Sequence, residues 1–91
     1  MKYDYEYNVV IPSCGTTIYM QEGSGCQLDA FDYAAGYEGY IDYDILAGPN
    51  VGDGGIYMFK DDVPWIEKIP ETIMYILNVE KCPDYYLQEV A

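Results

Sequence analysis

The sequence predicts an α+β domain: a small antiparallel sheet of four to five strands with one or two short helices. Three observations predict it. Residues 2–11 alternate apolar and polar with period two. A second period-two stretch spans Tyr37 to Ile45. Between them, GCQLDAFDYAAG carries the apolar spacing and end signals of a short helix. With 91 residues there is room for one domain. Apolar residues make up 51% of the chain, enough for an ordered core.

In the first segment Tyr3, Tyr5, Tyr7, Val9 and Ile11 fall on one side, and Lys2, Asp4, Glu6 and Asn8 on the other. This reads as a half-buried strand. Pro12 to Gly15 breaks it, and Thr16 to Met20 (TTIYM) reads as its hairpin partner. Gln21 to Gly25 reads as a loop. Ser24 with Gln27 fits a capping box, and Gly36 fits the stop of a helix of about 10 residues. Leu28, Phe31 and Ala35 share one face of that helix, with Asp29, Asp32 and Tyr33 pointing elsewhere.

The stretch YEGYIDYDIL returns to period two. Tyr37, Gly39, Ile41, Tyr43 and Ile45 lie in one row, and Glu38, Tyr40, Asp42 and Asp44 in the other. Ala47 to Gly55 is a hairpin loop with a strong Asp53-Gly54 turn pair, and Ile56 to Lys60 is the return strand. Glu71 to Glu80 fits either period, and its β-branched content favours a strand. Asp84 to Val90 reads as a short closing helix after Pro83.

Charge is the least ordinary property. Sixteen acids face four lysines, for a net charge of −12, and arginine and histidine are absent. No basic residue lies between Lys2 and Lys60, a span holding nine acids. Such a field disfavours direct binding to nucleic acid or to anionic membranes. It favours a basic protein surface as partner, and it leaves a homodimer open.

Catalytic and cofactor signatures are missing. The AGPNVGDGG loop matches no phosphate-binding motif, and the chain carries no lysine within reach of it in sequence. Asp42, Asp44 and Asp53 do not follow calcium-loop spacing, because Leu46 and Ala47 stand where a ligand and a glycine are needed. Without histidine, and with Cys14, Cys26 and Cys82 unpaired in spacing, no metal centre or cofactor is implied. The start of the chain lacks the apolar core of a signal peptide, which points to the cytosol.

The acidic rows remain. Alternate residues of a strand stand about 7 Å apart, comparable to neighbouring phosphates of a nucleic-acid strand. Twelve tyrosines in 91 residues is a high count, and those beside the acids, Tyr33, Tyr37 and Tyr40, suit the cover of a small core and an interface equally well. The candidate partner-binding set is Asp4, Glu6, Asp29, Asp32, Tyr33, Tyr37, Glu38, Tyr40, Asp42 and Asp44. The expectation is a non-enzymatic inhibitor that mimics nucleic acid and blocks a basic nucleic-acid-binding protein. In size, charge and lack of catalytic groups the chain is similar to the small acidic proteins phages use against restriction or CRISPR nucleases. No motif carries that likeness. The alternative is an interaction module, such as an immunity protein for a basic toxin. A solvated acidic face serving only solubility is the plainer reading of such rows. A hydrolase would need converging carboxylates in a pocket.

Overall fold

The computed structural model describes residues 6–23, 30–60 and 63–90. Five strands form one antiparallel sheet: β1 (Glu6–Ile11), β2 (Thr16–Glu22), β3 (Gly39–Ala47), β4 (Gly54–Phe59) and β5 (Tyr86–Glu89). Their order across the sheet is β4-β3-β2-β1-β5. Two helices accompany them, α1 (Ala30–Ala34) and α2 (Ile69–Leu77), with a 3₁₀ helix at Trp65–Lys68 leading into α2. The predicted α+β class holds.

β1 and β2 form the expected hairpin. A 3₁₀ turn at Pro12–Cys14 links them, and Gly15 closes it in the left-handed region at φ 65°. β2 runs to Glu22, two residues past the expected end, because Gln21 pairs with both Glu6 and Asp42 and Glu22 pairs with Ile41. β3 and β4 form the second hairpin. The loop between them is held by its own backbone: the Ile45 and Gly52 N–H groups donate to the carbonyls of Asp53 and Ile45.

The core lies on one face of the sheet. Tyr7, Val9 and Ile11, Ile18 and Met20, Ile41 and Ile45, and Phe59 pack there against Trp65, Ile69 and Ile73. The alternation of β1 explains this placement, since one row of a strand faces one side only. Tyr7 stacks on Trp65 with ring centroids 6.0 Å apart.

Three expectations are corrected. Residues 69–77 are helix, not strand. Pro70 occupies the first turn, where its missing N–H is harmless, and Asn78 ends the helix in the left-handed region at φ 55°. Residues 86–89 are strand, not helix, and pair with β1 from Tyr7 to Val10. The fifth strand is therefore the C-terminal one. Phe31, placed on the presumed inner face of the first helix, is 84% exposed. α1 is described only from Ala30, so the Ser24 cap, Leu28 and Asp29 lie outside the described residues, as do Tyr3, Asp4, Tyr5 and Cys26.

Gly23 carries one structural demand. Its N–H donates to the Tyr40 carbonyl at 2.9 Å, and the Tyr40 ring lies over it. A Cβ at Gly23 would sit 2.2 Å from that ring. Tyr40 is only 3% exposed and has little room to turn aside. Gly23→Ala is expected to cost about 1–3 kcal/mol in urea unfolding. Unchanged stability would mean that Tyr40 is not held against this position.

Candidate functional site

The face opposite the core is built by the other half of each strand. Cross-strand pairing aligns Glu6, Gln21, Asp42 and Ile56 in one row. The next row holds Asn8, Tyr19, Asp44 and Gly54. Paired residues share a face, so the acids of β1 and β3 flank β2. Neighbouring strands lie about 4.8 Å apart, which sets Glu6 and Asp42 about 10 Å from each other across Gln21. Asp44 lies one repeat of the pleat further along β3. Gln21 and Asp44 are exposed, and Glu6, Asn8, Val10, Tyr19, Asp42, Ile56 and Met58 are half-buried.

Tyr19 reports how closely the acids converge. Its hydroxyl donates to Glu6 Oε2 at 2.6 Å. Its ionisation is pushed up from 10.0 to about 12. Burial is the largest cause, followed by the hydrogen bond to Glu6 and the negative charges of Glu6, Asp42 and Asp44. Three carboxylates from two strands thus act on one phenol.

The sign of the linkage follows. A phenol whose folded ionisation lies above its unfolded one stabilises the fold fully below pH 10. That contribution is lost as pH rises from about 10 to about 12. Glu6→Gln is expected to bring Tyr19 back toward 10.0, as followed by ¹³C NMR of the tyrosine Cζ carbons across an alkaline titration. A titration unmoved by Glu6→Gln would mean that the carboxylate does not govern this phenol.

No residue of the five strands is basic. The described lysines have other surroundings. Lys60 Nζ lies 5.0 Å from the centre of the Tyr37 ring. Lys68 is buried on the core side, with Glu71 at 3.5 Å and the Phe59 ring at 5.7 Å. Lys81 is exposed beyond α2.

Of the predicted set, the structure brings Glu6, Asp42 and Asp44 together. Tyr40 keeps the expected parity, but its ring is folded onto Gly23 and leaves almost no surface for a partner. Tyr37 is half-buried beside Lys60, so the acidic stretch does have a cation near it, supplied by the end of β4. Asp32 is half-buried on α1, and its carbonyl accepts the Tyr37 N–H at 3.1 Å. Glu38 is exposed and precedes β3. Tyr33 belongs to α1, with its side chain outside the description. Asp4 and Asp29 lie outside the described residues altogether.

Tyr19 and Gln21 were missed. Their signal was present, because Thr17, Tyr19 and Gln21 alternate with Ile18 and Met20. The hairpin register needed to align them with Glu6 was not.

A concavity of about 210 Å³ opens at one end of the sheet, between Glu22, Glu38, Tyr40, Phe59 and Trp65. Its rim carries two carboxylates and its wall carries aromatic rings, a setting suited to a lysine or arginine side chain. Among the described residues, no cluster of three potential ligands is arranged to hold a metal ion. No described helix is long and apolar enough to cross a membrane.

Fold and face together define a small α+β domain whose sheet is packed on one side and acidic on the other. No family model, curated protein or solved structure matches the chain.

Proposed function

We propose that the acidic face of the sheet is a docking surface for a basic protein, and that the chain acts by occupying a groove built for nucleic acid. One observation carries this reading. Glu6, Asp42 and Asp44 gather around Tyr19 on a face with no base among the described strand residues. Their spacing of about 7–10 Å is close to that of successive phosphates. Val10, Ile56 and Met58 lie half-buried beside them and supply apolar area to bury on contact. Tyr19 takes the role first assigned to Tyr40. At the end of the sheet Glu22, which pairs with Ile41 and so lies on the core side, and Glu38 frame a separate seat for one basic side chain.

The mode of action is inhibition by occupancy, without catalysis. The partner is a nucleic-acid-binding enzyme or complex, and the setting is the cytoplasm of a bacterial host. A phage-encoded protein acting against restriction or CRISPR nucleases is the role this chemistry fits best.

Capture from a bacterial lysate tests it, using the native chain beside the Glu6→Gln, Asp42→Asn, Asp44→Asn variant. The expected result is one nucleic-acid-binding protein retained by the native chain only and released by its own DNA or RNA. A retained partner that nucleic acid does not displace would instead define an adaptor or an immunity protein. Equal capture by both chains would remove the acidic face from the interaction.

A further inference from the structure

At the end of the sheet where the β1–β2 turn meets the β3–β4 loop, a cavity of about 240 Å³ reaches in beside the last turn of α2. It lies away from the carboxylates of the acidic face. Ile45 and Leu77 form its walls, Val79 and Asn50 border it, and Cys14 stands exposed there. Thr16 also lines it. That residue is 3% exposed, yet no hydrogen bond engages its hydroxyl among the described residues. A buried hydroxyl without a protein partner is costly unless something else meets it. No side-chain oxygen or nitrogen sealed from solvent lacks a partner among the described residues, so this hydroxyl keeps some access to solvent on a residue that lines the cavity.

The loop is shaped to leave that hydroxyl room. Gly48 has φ +117°, and a Cβ there would lie 2.7 Å from Thr16 Oγ1. The glycine of the AGPN segment therefore lets the loop pass over Thr16 without blocking it.

We propose that this cavity binds a small neutral molecule of one ring carrying a single hydrogen-bonding group. The size sets the class: an apolar cavity of about 150 Å³ accepts benzene, and drug-sized ligands need about 300 Å³ or more. The walls set the polarity, being mainly aliphatic with Thr16 as the inward polar group. Charge sets the sign, since no lining residue is ionic and a net charge of −12 repels anions.

Phenol, toluene and benzoate share a ring and differ in the feature at issue. Methyl NMR of the native chain is expected to show saturable shifts at Ile45, Leu77 and Val79 with phenol, weaker binding of toluene, and none of benzoate. Thr16→Val keeps the volume and removes the hydroxyl. It is expected to weaken phenol about fivefold to tenfold and to leave toluene unchanged. Val79→Phe fills the cavity from an exposed position, tolerates the fold, and is expected to abolish both. Phenol affinity unaltered by either variant, or shifts that never saturate, would overturn the site. Loss of capture of the basic partner by Val79→Phe would also overturn it, by assigning the cavity to a partner's side chain.

Discussion

Ile73→Ala is expected to lower the unfolding free energy by about 2–5 kcal/mol, a large part of what holds a domain of this size. Ile73 is fully buried in the cluster formed by α2 and the sheet, beside Ile69. Truncation removes contacts on the covered face and leaves a cavity that a short helix closes poorly. Val79→Ala supplies the contrast. A strand over 71–80 would put Ile73 and Val79 in one row and give both a similar cost. The helix ends at Leu77, and Val79 is 42% exposed. Its truncation is expected to stay within about 0.5 kcal/mol. Urea unfolding of the two variants decides, and comparable losses would refute the helical placement.

That contrast marks where the sequence became hard to read. β1 and β2 were legible because a hairpin is local and its period-two pattern repeats on both arms. So were β3, β4 and the turn between them. In residues 71–80 two signals compete: isoleucines and Val79 favour a strand, while Pro70 and the spacing of Ile69, Ile73, Ile76 and Leu77 favour a helix. Packing against a sheet already complete on that face decided for the helix. β5 was unreadable for another reason. Tyr86 to Glu89 is strand because β1 offers it an open edge nearly eighty residues earlier in the chain. Residue type near Pro83 carries no trace of that pairing.

The site was half legible for similar reasons. Parity placed Glu6, Asp42 and Asp44 away from the core, and the structure has them there. It could not show that Tyr40 lies flat on Gly23, because that contact joins β3 to the end of β2. Nor could it show that Lys60 returns to Tyr37 from the end of β4. Both corrections arise from contacts between strands, which a pattern within one strand does not contain.

Glu6→Gln, Asp42→Asn and Asp44→Asn together are expected to slow association with the basic partner at least tenfold at low salt, with a smaller change in dissociation. Exposed and half-exposed charges act mainly by steering, so the loss should shrink as salt shortens the range of the field. The same variant is expected to unfold at slightly higher denaturant. Three like charges around one phenol repel each other, and at separations of about 7–10 Å each pair costs about 0.4–0.6 kcal/mol before salt screening. Glu6→Gln still offers an oxygen to the Tyr19 hydroxyl, so the hydrogen bond survives. Slower binding by a firmer fold separates the two explanations of the acidic face. A surface kept for solubility alone would lose nothing in association when three charges are removed. A surface kept for a partner trades stability for the encounter. Stopped-flow association across a salt series, beside urea unfolding of the same preparations, measures both sides of that trade. Unchanged association at low salt would assign the contact to Val10, Ile56 and Met58 instead, and the carboxylates would be solvated surface.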